Sequence, residues 1–96
     1  MRIVFVEYHI QAEQRQSYLS FLADILSRYP NVSVMEGEGQ PNVFVELWDN
    51  MNGDRFDRFR SSRLEPGNLE WAVLDRFIEG GIAKQRIWPF KKINLP

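Results

Sequence analysis

The chain has no cysteine and, among its 96 residues, a single histidine, His9. Without thiols there is no disulfide, no thiolate metal site and no cysteine nucleophile, and the composition is compatible with a reducing cytoplasm, the location expected for it. One histidine cannot build a histidine metal cluster, so no metal is expected. An excess of one charge is lacking too. The net charge of −1 gives no general attraction to nucleic acid or to an acidic membrane surface, so neither is expected as a partner. No apolar run approaches the roughly 18 residues of a membrane span. The amino-terminal stretch carries Glu7 and lacks the unbroken apolar core of a secretory signal. There is no linker and no low-complexity tract, so residues 1–96 read as one domain, long enough to bury roughly 65% of its unfolded surface.

What the chain does have is aromatic residues, three Trp, three Tyr and seven Phe, and a repeated strand design. Val43-Phe44-Val45-Glu46-Leu47-Trp48 echoes Val4-Phe5-Val6-Glu7-Tyr8-His9, each an apolar run with one Glu at the same offset. Arg2 to Ile10 alternates as a strand, with Val4, Val6 and Tyr8 on one face and Ile3, Phe5, Glu7 and His9 on the other. Gln11 to Tyr29 switches to helical spacing, with Tyr18, Leu22, Ile25, Leu26 and Tyr29 on one stripe and Phe21 beside it, and Pro30 closes it. Val32 to Glu36 and Asn42 to Asp49 form a hairpin around the turn-forming Gly37-Glu38-Gly39-Gln40-Pro41. A helix is predicted from about Asp54, interrupted at Glu65-Pro66-Gly67-Asn68. A second helical piece runs over Leu69 to Glu79, Gly80-Gly81 stops it, and Ile82 to Phe90 is the last strand.

The order β-α-β-β-α-β is the ferredoxin-like, split β-α-β arrangement: an α+β fold with a four-stranded antiparallel sheet and its helices on one face. The other face is left bare. From the echo between strands, that bare face is expected to carry Phe5, Glu7 and His9 beside Phe44, Glu46 and Trp48, with Arg86 and Trp88 joining from the last strand. So apolar a face normally marks an interface. The economical cover is a second copy of the chain, which makes Phe5, Phe44, Glu46, Trp48, Arg86 and Trp88 the expected homodimer contacts.

The third strand Val43 to Trp48, the acidic and amide-rich turn Asp49 to Asn52, the aromatic helix start Phe56 and Phe59, and the closing strand with Trp88 together resemble the dimeric α/β-barrel superfamily, in particular its small antibiotic-biosynthesis-monooxygenase-like domains. The resemblance covers nearly the whole chain as a pattern. It implies a homodimer and, where members are catalytic, cofactor-free oxygenation of a small aromatic substrate, so no cofactor is expected. Haem-degrading relatives typically place an Asn in the first strand and a His in the second helical region near a Trp. Here the first strand has Glu7, Asp54 to Glu79 contains no histidine, and only Trp71 could take a place in that set, so haem degradation is not expected.

Two function classes follow. In the first, an enzyme uses His9 or Glu7 to take a proton from a phenolic substrate held by Tyr8, Phe21, Phe59 and Trp71, residues expected to line the helix–sheet cleft. His9 has the intrinsic pKa for that work, although a hydrogen-bonded interface histidine is the commoner role. In the second, the domain binds a ligand or assembles without catalysis, and its polar sheet residues stabilise the dimer. Glu7 and Glu46 could form a carboxylate pair with one raised pKa, but pairing with Lys84 and Arg86 explains them more economically. Arg55, Arg58, Arg60 and Arg63, diluted by Asp54, Asp57 and Glu65, read as a solvated helix face rather than a nucleic-acid surface.

Overall fold

Strand β1 (Arg2–His9) is the central element of the computed structural model, which describes residues 2–96. Its alternation produces the predicted split. Val4, Val6 and Tyr8 are buried, whereas Phe5 and His9 are exposed on the opposite face. β2 (Val32–Glu36), β3 (Val43–Trp48) and β4 (Arg86–Lys91) complete an antiparallel sheet in the order β2-β3-β1-β4. Helices α1 (Arg15–Arg28), α2 (Arg55–Leu64) and the single turn α3 (Leu74–Phe77) cover one face. The α+β, ferredoxin-like architecture expected from the sequence is present. Fully burying Val4 and Val6 beneath those helices contributes about 1.5–3 kcal/mol for each side chain.

The face expected for β3 is reversed. β1 and β3 pair with Val4 opposite Trp48, Val6 opposite Glu46 and Tyr8 opposite Phe44. Directly opposed residues project to the same side of a sheet, so Phe44, Glu46 and Trp48 lie under the helices with Val4, Val6 and Tyr8. They are all buried, and Val43, Val45 and Leu47 take the open face. Phe44, Glu46 and Trp48 therefore cannot belong to a bare-face interface. Phe5, Arg86 and Trp88 do lie on the open side, where Glu7 opposes Arg86 and Phe5 opposes Trp88. Glu7 and Glu46 sit on opposite faces and form no carboxylate pair.

Two element boundaries also move. Leu69 to Glu79 is mostly turns, with regular helix only over Leu74–Phe77, and Leu69 is fully exposed. Asn68 imposes this, because its Oδ1 accepts the backbone N–H groups of Glu70 (2.9 Å) and Trp71 (2.8 Å) and starts a fresh turn. The last strand begins at Arg86, because a 3₁₀ turn, Ile82–Lys84, precedes it. Gly81 makes that turn possible at φ 86°. A side chain there would place Cβ 2.6 Å from Asp75 Oδ1, the atom that accepts the Ile82 N–H at 3.0 Å.

The stripe on α1 is narrower than its periodicity predicts. Tyr18 and Ile25 are buried, Phe21 and Leu22 pack partly against the core, and Leu26 is exposed. The helix is tied to the hairpin by Arg15, whose guanidinium donates to both Glu36 oxygens (2.6 and 2.9 Å) and to Asn42 Oδ1 (2.7 Å). With the Asn42 N–H also donating to Glu36, the Arg15 hydrogen bonds hold the Glu36 carboxyl well below its usual range, at about 2.

Candidate functional site

Arg63 of α2 is fully buried, although the charge run around it reads as a solvated face. It follows Phe56 and Phe59 at i, i+3 and i+7, so one stripe of the helix carries all three toward the sheet. Its Nη1 and Nη2 donate to Glu46 Oε1 (2.7 Å) and Oε2 (2.9 Å), a two-point ion pair. Trp48 Nε1 donates to Oε1 at 2.7 Å, and the Tyr8 hydroxyl donates to Oε2 and meets the Tyr18 hydroxyl at 2.7 Å. Arg63 Nε donates to Gln85 Oε1 (3.1 Å), and Gln85 Nε2 returns a bond to the Arg63 carbonyl (2.9 Å).

Burial alone would raise the Glu46 pKa. The Arg63 charge and the bonds from Arg63, Tyr8 and Trp48 outweigh it and hold the carboxyl below its ordinary value. Burial, reinforced by the Glu46 charge, pushes the Tyr8 hydroxyl well above its ordinary pKa, so it remains a neutral donor. Among the described residues no buried side-chain polar atom lacks a partner. With both oxygens of Glu46 doubly engaged, the network has no free acceptor for a substrate proton. It fixes geometry.

What it fixes is the back of an open cleft of about 660 Å³ between the end of α1, the end of β3, α2 and the turn at Glu70. Tyr29, Trp48, Phe59 and Trp71 form its apolar walls. The Tyr29 and Trp71 rings stack with centroids 6.0 Å apart, and Trp48 lies 4.9 Å from Phe59 and edge-on to Trp71 at 6.0 Å. The Arg63 guanidinium sits 4.5 Å from the Trp71 centroid, a cation–π contact. Asn50, Arg55, Arg58 and Glu70 supply polar edges. Glu70 accepts from the Tyr29 hydroxyl (2.6 and 2.8 Å) and from Arg28 Nη1 (2.6 Å). Burial and then the Glu70 bond raise the Tyr29 pKa.

Phe59 and Trp71 are therefore in the cleft, as expected of pocket residues. Phe21 stands behind it, edge-on to Trp71 at 6.1 Å, and Tyr8 lies in the buried network instead. His9 and Glu7 line a separate, smaller cavity of about 300 Å³ with Glu79, Lys84 and Arg86, which shares no residue with the cleft. His9 Nδ1 is 3.1 Å from Glu79 Oε2, and both side chains are more than half exposed. Sequence reasoning missed Arg63, Tyr29 and Glu70. Only Arg63 left a legible signal, its place on the Phe56–Phe59 stripe.

No helix among the described residues is long and apolar enough to cross a membrane. No protein-family model matches the chain, and no curated protein matches it. Solved structures do. One antibiotic biosynthesis monooxygenase superposes with a TM-score of 0.76 at 10% identity, over 98% of this chain and 100% of the other. A putative antibiotic biosynthesis monooxygenase from Deinococcus radiodurans gives 0.71 at 16% identity, over 100% and 96%. An uncharacterised NIPSNAP domain protein from Burkholderia xenovorans gives 0.59 at 14%, over 97% and 95%. At these identities the likeness is one of fold, and the chain has the ferredoxin-like fold seen in antibiotic biosynthesis monooxygenases.

Proposed function

We propose that this protein is a cytoplasmic, monooxygenase-like domain that holds a flat aromatic molecule in the cleft walled by Tyr29, Trp48, Phe59 and Trp71. The observation that carries the reading is the cleft itself: about 660 Å³, walled by four aromatic rings and edged by a few polar groups, the composition of a small-molecule site. The monooxygenase names of the neighbours supply the reaction class. For a phenolic substrate with an activated methylene, oxygenation balances without a cofactor. One C–H proton leaves, O₂ adds to the carbanion, that proton returns to the terminal peroxide oxygen, and loss of the second C–H proton with hydroxide gives a ketone and one water, all four electrons coming from the substrate. Among the described residues Glu70 is the only carboxylate on the cleft wall, and in this reading it accepts the first proton in place of His9 or Glu7.

The second reading is binding without turnover. It is favoured by the engagement of Glu70 with Arg28 and Tyr29, whose donors already occupy its carboxylate. One experiment addresses both. A thermal-shift screen of planar aromatic compounds is expected to yield ligands that stabilise the protein. A ligand at about 100 times its Kd adds about 2.7 kcal/mol, roughly 10 °C or more in Tm for a domain this size. Ser62→Trp, on the half-buried cleft wall, should abolish the shift while leaving the unliganded Tm nearly unchanged. Equal shifts in both proteins would remove the cleft from the proposal. Oxygen uptake with the ligands found then separates turnover from binding.

Assembly is the other part of the proposal. The open face exposes Phe5, Trp88 and Phe90, which with Glu7, Val45 and Arg86 outline an apolar groove of about 280 Å³. A second copy related by a two-fold axis would cover it. Trp88→Asp is expected to convert a dimer to a monomer at micromolar concentration in sedimentation velocity. A wild-type chain that already sediments as a monomer would overturn the dimer.

A further inference from the structure

Charge at the mouth of the aromatic cleft is unevenly spent. On one side stands Glu70, whose carboxylate already accepts from Arg28 Nη1 and from the Tyr29 hydroxyl, so its negative charge is answered from outside the cleft. On the other side stand Arg55 and Arg58, at the start of α2. Arg58 holds Asp54 loosely, at 3.4 Å, with both side chains more than 70% exposed. Arg55 has no carboxylate within ion-pair distance among the described residues. Among the described residues its guanidinium makes one hydrogen bond, from Nη1 to the Asn50 carbonyl at 3.0 Å, so most of its donors are unused. The mouth is thus locally cationic on a chain whose net charge is −1.

An apolar wall and an unspent guanidinium at its edge ask for a ligand with the same two parts. A planar ring buries one face against the aromatic wall of the cleft, and a carboxylate on that ring reaches the rim, where a guanidinium fork matches two oxygens. A neutral ring gains only the first contact. A cationic ring would meet Arg55 and Arg58 unfavourably, with Glu70 already occupied.

We infer that the cleft selects a planar aromatic acid, its ring against the aromatic wall of the cleft and its carboxylate on Arg55. The inference rests on the cleft being a binding site, and adds the charge class of what enters it. Because the rim is exposed, the gain from the charge is modest and screened by salt.

Isothermal titration with two matched probes, 2-naphthoate and 2-naphthalenemethanol, separates the two ideas. Naphthoate is expected to bind about fivefold tighter than the alcohol at low salt. Arg55→Met should erase that preference without weakening the alcohol, and so should high salt. If the alcohol binds as tightly as the acid, or if Arg55→Met leaves the preference intact, charge selection is overturned while the cleft stands. If neither probe binds, the cleft reading fails and this inference fails with it.

Discussion

Replacing Arg63 with methionine is expected to cost about 3–5 kcal/mol, the penalty for stranding a buried charge, and to lower Tm by roughly 12 °C or more. The residue left behind is Glu46, 4% exposed, which would keep only its bonds from Tyr8 and Trp48. The loss should depend on pH with a definite sign. In the wild-type chain the Glu46 pKa lies below its ordinary value. Its contribution is therefore fully present above the unfolded carboxyl range near 4.3 and is lost only as pH falls through the lower folded value. Without Arg63, desolvation is opposed only by the bonds from Tyr8 and Trp48, and the same carboxyl is expected to move above its ordinary value. The variant's deficit should then shrink as acid protonates it. Adding Glu46→Gln to Arg63→Met should recover more than half of the lost stability at neutral pH. Urea unfolding of the four proteins measures the coupling, and an additive cycle would show that the pair does not act as a unit.

Trp71→Ala should be nearly as damaging, about 3–5 kcal/mol by the cost of removing a large buried aromatic side chain. Trp71 is 5% exposed and touches every part of the aromatic assembly: Phe21, Tyr29, Trp48, Phe59 and the Arg63 guanidinium. Its removal opens the cleft into the core, so ligand-induced stabilisation should vanish as well. Trp71→Phe keeps a ring in place and should retain most of the stability. A loss below about 1 kcal/mol for the alanine variant, a size usual for surface positions, would mean that the neighbouring rings close over the gap. The exposed Arg55→Met should leave Tm unchanged, which separates the wall of the cleft from its rim.

Much of this molecule was legible before its coordinates. β2 has the predicted bounds, Val32 to Glu36, because a β-branched run is confined between Pro30-Asn31 and a glycine-rich turn. The two faces of β1 were legible from its alternation, and Val4, Val6 and Tyr8 are the buried set, as expected. β3 was misread for a definite reason. Both sets of its alternating residues are apolar apart from Glu46, so hydropathy does not choose a face, and likeness to β1 was used to choose instead. In an antiparallel pair the partners of Val4, Val6 and Tyr8 are Trp48, Glu46 and Phe44, whereas the echo aligns Val4 with Val43. A likeness of words carries no register. Arg63 was hidden by its charge. A buried arginine is exceptional unless paired, and its partner was assigned to the wrong side of the sheet. The cleft was only half legible, because Tyr29 and Glu70, 41 residues apart in the chain, meet only when α1 lies along the turn begun by Asn68.

The placement of the three tryptophans has an optical consequence. Trp48 and Trp71 lie nearly perpendicular, 6.0 Å apart, and both are almost fully shielded, while Trp88 stands 54% exposed on the opposite face of the sheet. The molecule thus carries two independent chromophore populations. The enclosed pair should dominate near-ultraviolet circular dichroism, where fixed asymmetric surroundings are needed. Aqueous iodide should quench chiefly the outer indole. One unlabelled sample can therefore report separately on the interior beneath the helices and on whatever comes to cover the sheet.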